Sequence, residues 1–460
     1  MRLWPQGARE EGLLLMSLTP HARPMRGPSS LPLVVVGAGP VGLAAAVRLL
    51  DRGIETVVLE AASDVGASVL DWGHVRLFSP WRFNVDKAAV RVLETSGWAP
   101  PPPDDLPTGD EFHHAYLRAL ARLGPIRDRL RLDRRVVAIS RRGVDKVRSA
   151  DRGDVPFLVR TQSATGTIED FAARGVIDAS GTWASPNPLG AAGIAAIGEA
   201  ACGARIHYGV PDVLDEHRGR YAGKTTLVVG AGHSAANSIL GLAELARANP
   251  KTAIRLATRG ENLARVFGGG DADALPARGR LGVKLRALYE SGALSLVSSF
   301  RIESVREGSG KLEVEGTRAG EPLVMTGIDS IIVATGQRPD LAVTRELRLS
   351  LDPALECAAA LAPLIDPNQH SCGTVRPHGA RELAHPEPGF YTIGSKSYGR
   401  APTFLLATGY EQARSVVAML AGDHQAALRV ELELPETGVC NSDLGEAGGS
   451  CCAAESQACC

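Results

Sequence analysis

The feature that most constrains the fold of this chain is a glycine-rich turn set between two short apolar runs. Leu33–Val36 is wholly apolar, as expected of a strand buried on both faces. Three glycines follow at G-x-G-x-x-G spacing, and residues 43–50 then predict a helix. A second apolar run, Thr56–Leu59, predicts a strand that delivers Glu60. This order of elements predicts a βαβ unit that binds a dinucleotide.

Each residue of this motif has a separate expected role. Gly37 permits the tight turn, Gly39 lets the backbone approach a pyrophosphate, and Gly42 lets helix and strand pack closely. Pro40 lies between Gly39 and Gly42 and is assigned to the same site, and the N-terminus of the following helix is expected to face the phosphates with unpaired N–H groups. Glu60 is predicted to accept hydrogen bonds from a pair of ribose hydroxyls, and its charge disfavours a 2′-phosphate.

A second unit of the same kind begins near residue 224. An apolar strand again runs into a glycine turn and a helix start, and an alanine replaces the third glycine, which the motif allows. The residues that we assign to this second site are Gly230, Gly232, Ser234 and Ala235. The next predicted strand, residues 252–257, leads to Arg259 with no acidic residue at its end. An arginine there suits the 2′-phosphate of NADP rather than the free hydroxyl of NAD.

The chain is therefore predicted to be an imperfect internal duplication. In each half, segments of period two follow the βαβ unit, and a later strand ends in Ser/Thr-Gly, at Gly181 and at Thr335-Gly336. The predicted class is α/β, with two Rossmann-like dinucleotide-binding domains, each carrying a small β-meander. The predicted ranges are 1–30 (disordered extension), 31–205 (first domain), 206–325 (second domain), 326–425 (return to the first domain) and 426–460 (acidic, cysteine-rich disordered tail).

An aromatic, irregular stretch at residues 69–84 follows the first βαβ unit. A flat cofactor ring needs such a surface, with Trp81 as an apolar wall and Asn84 as a hydrogen-bonding group. The alternative is a surface loop anchored by Phe78 and Trp81.

Composition argues against nucleic acid and a membrane span, and it suggests a soft metal or metalloid as a partner. A net charge of −1 and a pI of about 6.8 give no electrostatic basis for nucleic-acid binding. No apolar stretch is long enough to span a membrane, which favours a cytoplasmic protein. Five of the eight cysteines crowd the last 21 residues. The vicinal pairs Cys451-Cys452 and Cys459-Cys460 would suit a soft metal or metalloid, although incidental cysteines in a low-complexity terminus are the alternative.

Two dinucleotide folds, a meander and an A-T-G-x-x-P segment at residues 334–339 resemble the two-dinucleotide flavoproteins. Within that group the chain is most similar to flavin-containing and class B monooxygenases and to bacterial pyridine nucleotide-dependent FAD oxidoreductases, over roughly residues 31–425. The resemblance implies FAD in the first fold, NADPH in the second, and Gly394 near the flavin. It also implies a monooxygenase that acts through a C4a-hydroperoxide on a small molecule with O2, and it allows a homo-oligomer.

The sequence departs from this family at two places. In the identifying motif, Gly203 and His207 have the right spacing, but Ala201 and Pro211 stand where aromatic residues are expected. His207 is thus a candidate catalytic residue or an ordinary structural histidine. Gly394 is followed by serine rather than by the aspartate usual in the wider group.

Two other functions stay open at this point. One is an NAD(P)H-dependent reductase linked to thiol or metal(loid) detoxification through the tail cysteines. Standard dithiol chemistry is disfavoured, because residues 31–425 contain no C-x-x-C or C-x-x-x-x-C pair. The other is a nucleotide sensor without redox activity.

Overall fold

The computed structural model describes residues 30–261, 264–267, 276–370 and 375–432. Residues 1–29 of the predicted N-terminal extension and residues 433–460 of the predicted tail lie outside these residues. The cysteine pairs Cys451-Cys452 and Cys459-Cys460 belong to that part of the tail.

Short strands alternate with helices along the described chain. The strands are β1 Leu33–Val36, β2 Thr56–Leu59, β3 Leu130–Arg131, β4 Arg135–Arg141, β5 Phe157–Gln162, β6 Ile168–Ala173, β7 Gly175–Asp178, β8 Ile206–Tyr208, β9 Thr225–Val229, β10 Ala253–Ala257, β11 Leu294–Val297, β12 Phe300–Gly308, β13 Lys311–Arg318, β14 Glu321–Ile328, β15 Ser330–Val333 and β16 Phe390–Thr392. The α-helices are α1 Pro40–Asp51, α2 Ala67–Leu70, α3 Trp81–Asn84, α4 Lys87–Thr95, α5 Gly109–Phe112, α6 Arg118–Arg122, α7 Gly124–Arg127, α8 Arg218–Tyr221, α9 His233–Ala248, α10 Ala264–Phe267, α11 Pro276–Glu290, α12 Ala362–Ile365, α13 Leu406–Leu420 and α14 His424–Leu428. A π-helical turn, His113–Leu117, joins α5 to α6, and 3-10 turns lie at Gly203–Arg205, Ala342–Thr344 and Gly394–Tyr398.

The first sheet is parallel, with strand order β16-β7-β1-β2-β3. All four residues of β1 are buried, and Val35 pairs with Val58 on one side and with Ile177 on the other. The apolar run at the start of the motif is therefore a central strand, as the sequence predicts. Helix α1 packs against α13, so the last long helix covers the same sheet as the first.

The second sheet repeats this plan, with parallel strands in the order β11-β10-β9-β15-β8. Strand β15 belongs to this sheet, although its residues fall within the range 326–425 that the sequence assigns to the first domain. The reason is its pairing: Ser330–Val333 lies between β9 and β8, wholly buried. The chain returns towards the first sheet only after Val333.

Each half also carries a three-stranded antiparallel meander, β4-β5-β6 in the first and β12-β13-β14 in the second. Two parallel sheets, each with helices and a meander, confirm the predicted α/β class with two Rossmann-like units.

The first residues of the predicted disordered tail are structured. The tail was expected to begin at residue 426, yet α14 runs to Leu428, and Ala426 and Ala427 are buried against α13. Arg414 Nη1 donates to the Ala426 carbonyl at 2.6 Å. A short alanine-rich segment has weak periodicity, and its order here comes from packing on α13 rather than from its own sequence.

Candidate active site

In the glycine turn after β1, backbone geometry and close packing require glycine at two of the three positions. Gly37 has a φ of +94°, which favours glycine. A Cβ on Gly42 would lie 1.9 Å from the Gly37 carbonyl oxygen, so only glycine fits there. Around Gly39, by contrast, no atom of the described residues lies within 4 Å of the position a Cβ would take. Backbone atoms therefore pack tightly against Gly37 and Gly42, whereas the space beside Gly39 is free for a ligand.

Helix α1 starts at this opening, with Pro40 as its first residue. Within the described structure no side chain caps the helix, and its first turn contains no acidic residue. The first backbone N–H groups of a helix have no acceptor inside it, and the helix dipole places partial positive charge there. The residues present thus fit the pyrophosphate of a dinucleotide.

Glu60 lies at the end of β2 and reaches back to the turn. One carboxylate oxygen accepts a hydrogen bond from the Ala38 N–H at 2.7 Å, and the other from the Ala62 N–H at 3.0 Å. A carboxylate offers about four acceptor positions, so about two stay available for ribose hydroxyls. Glu60 is half-buried beside the turn, and its contact with a ribose stays a prediction.

The second glycine turn has the same design. Gly230 has a φ of +137°, and a Cβ there would lie 2.3 Å from the Ala334 carbonyl oxygen. No described atom lies within 4 Å of a Cβ on Gly232, and no described side chain caps α9. Ala235 is buried and Ser234 half-buried in the first turn of α9. This turn is likewise open to an anionic group.

Arg259 follows β10 and is exposed. Its Nη1 donates to the Ala191 carbonyl at 3.2 Å, which leaves most of the guanidinium donors for other acceptors.

Replacing Arg259 with glutamine is expected to weaken NADPH binding by about 10-fold or more, since a hydrogen bond to a charged group contributes about 1.5–3 kcal/mol. NADH binding should be unchanged, because NADH lacks the 2′-phosphate. Both affinities can be measured by titrating each nucleotide. The control is Arg255→Gln on the same strand, where the arginine donates to the Thr326 carbonyl. Equal losses for NADPH and NADH would contradict the assignment.

The chain crosses between the two sheets twice, and the two crossings pair with each other. The Asn187 N–H donates to the Gly336 carbonyl at 2.9 Å, and Asn187 Nδ2 donates to the Thr335 carbonyl at 3.1 Å. Pro186 and Gln337 form an antiparallel bridge. Thr335 and Gly336 therefore lie in the double connection between the halves.

Gly394 lies against the first glycine turn. Its φ is +74°, and a Cβ there would meet the Val41 side chain of α1 at 3.5 Å. Its N–H donates to Gln412 Oε1 at 2.8 Å, and Gln412 is fully buried. Gln412 Nε2 is in turn 3.0 Å from His378 Nε2. The buried side chains of Gln412 and His378 thus hold Gly394 in position. Their pairing was not predicted from the sequence.

A buried ion pair lies beside the same turn, and sequence reasoning missed it. Lys396 Nζ is 2.7 Å from Asp178 Oδ2, and both side chains are 3% exposed or less. Asp178 also accepts from the Ser180 hydroxyl at 2.6 Å. Asp178 ends β7 and Lys396 follows β16, the adjacent strand. The sequence did contain a signal for this ion pair, because the carboxyl ends of neighbouring parallel strands lie at the same edge of a sheet.

Gly181 follows Ser180 in the chain. Its φ is +71°, and it faces Ser395.

The aromatic stretch folds partly into the core. Trp81 is 6% exposed, and its ring lies 5.9 Å from that of Phe112. Asn84 is buried; its Oδ1 accepts from the Ser79 hydroxyl and its Nδ2 donates to the Ser79 carbonyl, both at 2.7 Å. One N–H of Asn84 stays available for another acceptor. The contacts predicted between the flavin and Trp81 and Asn84 stay predictions. The structure shows that both side chains are buried and anchor this stretch.

His207 lies in β8, at the edge of the second sheet. Burial, followed by the charges of His217, Arg220 and His74, lowers its pKa to about 4. The imidazole is therefore neutral at pH 7 and can accept a proton but not donate one as an acid. Its ring centroid lies 5.2 Å from that of His217.

The described cysteines do not form a redox pair. Cys202 and Cys357 are both free and buried, and burial raises the pKa of both thiols, that of Cys357 to about 12. Neither is poised as a thiolate. Among the described residues, no group of three or more His, Cys, Asp or Glu side chains could hold a metal ion.

Comparisons with known proteins agree with this geometry. A family model described as pyridine nucleotide-disulphide oxidoreductase matches residues 34–358, and the chain belongs to this family. No curated protein matches the sequence. Several solved structures share the fold over nearly all of their length.

Three of these structures illustrate the range of enzymes that share the fold. Bacillithiol disulfide reductase Bdr from Bacillus cereus is 17% identical, with a TM-score of 0.62 over 85% of this chain and 99% of that one. The FAD-bound cadaverine monooxygenase DfoA from Erwinia amylovora is 13% identical, with a TM-score of 0.61 over 91% of this chain and 99% of that one. Ornithine hydroxylase PvdA from Pseudomonas aeruginosa is 17% identical, with a TM-score of 0.56 over 85% of this chain and 99% of that one.

Family and fold together confirm the predicted class: the protein is an oxidoreductase of the FAD- and NADP-dependent flavoprotein type. Within the described residues, no helix is both long and apolar enough to cross a membrane.

Proposed function

We propose that the protein is an FAD-dependent, NADPH-oxidising monooxygenase that acts on a small molecule with O2. The observation that carries this proposal is the meeting of the two halves. Phe78, from the stretch after the first glycine turn, packs against His233, the first residue of α9, with ring centroids 5.0 Å apart. The region next to the first dinucleotide site thus touches the opening of the second.

The chain supplies binding groups for both cofactors. The start of α1, Gly39 and Glu60 would hold the pyrophosphate and ribose of FAD, and Gly232 with Arg259 would hold the phosphates of NADPH. FAD held there would supply the hydride-accepting and electron-transfer chemistry that the side chains of this protein do not provide. Phe78, at this contact, would help to keep water from the space between the sites.

Monooxygenation is favoured over disulfide reduction by the state of the thiols. A dithiol reductase needs two cysteines near the flavin, and Cys202 and Cys357 lie 155 positions apart in the sequence, each buried with a raised thiol pKa. Oxygen transfer needs no protein nucleophile.

The test is to follow NADPH oxidation by the FAD-loaded protein in air while measuring oxygen and hydrogen peroxide. We expect O2 to be consumed in step with NADPH, and expect the same rate after the two vicinal pairs Cys451-Cys452 and Cys459-Cys460 are changed to serine in the full chain. The double variant Cys202→Ser/Cys357→Ser should also retain this rate. Oxidation that requires a disulfide or a thiophilic metal, and that the tail variant loses, would contradict the proposal and establish the reductase alternative.

A further inference from the structure

A cluster of basic side chains lies on the second unit, at the edge strand β8. His207 lies in β8, and His217 and Arg220 lie just beyond it, at the start of α8 and within it. The rings of His207 and His217 meet edge to face, with centroids 5.2 Å apart. The Arg220 backbone N–H donates to the His217 carbonyl at 2.9 Å, which fixes the two residues relative to each other.

The first unit approaches this cluster from the other side. His74, in the stretch after α2, is close enough for its charge to lower the pKa of His207, after burial, His217 and Arg220. The Trp183 ring lies beside Gly209, which follows β8; a Cβ there would be 3.3 Å from the ring. Trp183 Nε1 donates to Asp71 at 2.7 Å, which ties this ring to the stretch that contains His74.

Two polar atoms of the cluster have no hydrogen-bond partner. Among the described residues, neither His217 Nδ1 nor Arg220 Nη2 has one, although both atoms are buried. The carboxylate of Glu216 is 3.9 Å from His217 Nδ1, too far for a hydrogen bond. Buried polar atoms without partners are costly, and those of a cation more so. With the ring of His207 beside them, these groups can bind an anion.

We propose that His217, Arg220 and His207 bind an anionic group of the substrate, a carboxylate or a phosphate-like oxyanion, beside Trp183 where the two units meet. This inference rests on the proposed function and specifies its substrate class. An arginine fork matches such groups with two parallel hydrogen bonds, and the imidazoles add further donors. A substrate held there lies beside Trp183 and the stretch that contains Phe78, where the two halves meet.

The site is separate from the predicted site of the NADPH 2′-phosphate. Arg259 follows β10, whereas His207 lies in β8, and the strands β9 and β15 separate them. Neighbouring strands are about 4.8 Å apart, which puts β8 and β10 about 14 Å from each other. An anion at Arg220 therefore need not compete with NADPH.

The test uses inorganic phosphate as the probe on the FAD-loaded protein, with binding followed by calorimetry at constant ionic strength. We expect Arg220→Gln to weaken phosphate binding by about 10-fold or more, since a charge-assisted hydrogen bond is lost. The matched control is Arg218→Gln, an exposed arginine on the same helix, which should bind phosphate within about 2-fold of the parent. Saturating NADP+ should leave the phosphate affinity unchanged.

Three results would overturn the inference: no phosphate binding, equal losses in the two variants, or phosphate displaced by NADP+ and weakened by Arg259→Gln instead. Reduction of FAD by NADPH without phosphate is measured in parallel. If NADPH reduces the flavin but phosphate does not bind at Arg220, the substrate-class inference fails and the proposed function stands. If NADPH does not reduce the flavin, the proposed function fails whatever the phosphate result.

Discussion

Replacing Gly42 with valine is expected to give a protein that no longer retains FAD. A Cβ at this position would lie 1.9 Å from the Gly37 carbonyl oxygen, so the side chain can enter only if the turn and the start of α1 move apart. That movement would displace the backbone N–H groups that are expected to face the pyrophosphate. The flavin-to-protein ratio after gel filtration measures the loss.

A second variant separates lost binding from lost folding. Gly39→Ala places its methyl group where no described atom lies within 4 Å, so the fold should be retained while the methyl group occupies the space expected for the pyrophosphate. The control is Gly124→Ala in α7, where a Cβ also meets no described atom and no cofactor is expected. Full FAD retention by Gly39→Ala and Gly42→Val would remove the first turn from the site.

Replacing Glu387 with glutamine is expected to lower the free energy of unfolding by about 3–5 kcal/mol at neutral pH. Glu387 is buried between two arginines: Arg141 Nε donates to it at 2.8 Å and Arg152 Nη2 at 2.9 Å. The variant would leave two guanidinium groups buried without their counter-charge. The pair Arg141–Glu387 also ties the first meander to the segment before β16. Urea denaturation measures the change.

The control and the pH dependence follow from the same contacts. Glu313→Gln breaks a more exposed pair with Arg306 and should cost about 1 kcal/mol or less. Burial alone would raise the pKa of Glu387, but hydrogen bonds from Arg141, Arg348 and Arg152 lower it overall. Stability from a lowered pKa is present above the unfolded value of about 4.3 and is lost as the pH falls through the folded pKa. The difference between parent and Glu387→Gln should therefore shrink below about pH 4. A difference that does not change with pH would contradict this account.

The parts that the sequence predicted well are local in the chain. Gly37, Gly42 and Glu60 lie within 24 residues, and strand, turn and helix follow from spacing alone. Thr108 and Glu111 form the capping box that their spacing predicts. The duplication was visible because each copy repeats the same local pattern.

The parts that it missed depend on contacts between distant residues. Asp178 and Lys396 are 218 positions apart and meet only because β7 and β16 are neighbours. The cluster of His207, His217 and Arg220 forms because α8 returns to the edge strand. Strand β15 could not be assigned to a sheet from its apolar run, since both sheets contain such runs.

The central claim is that NADPH bound at the second dinucleotide site reduces a flavin bound at the first. Its most direct test is to add NADPH to the FAD-loaded protein without oxygen and to record the visible absorption of the flavin. The account predicts full loss of the oxidised flavin band with one equivalent of NADPH, and a slower loss with the same concentration of NADH. An oxidised spectrum that persists with excess NADPH would contradict it and would leave a protein that binds dinucleotides without passing electrons between them.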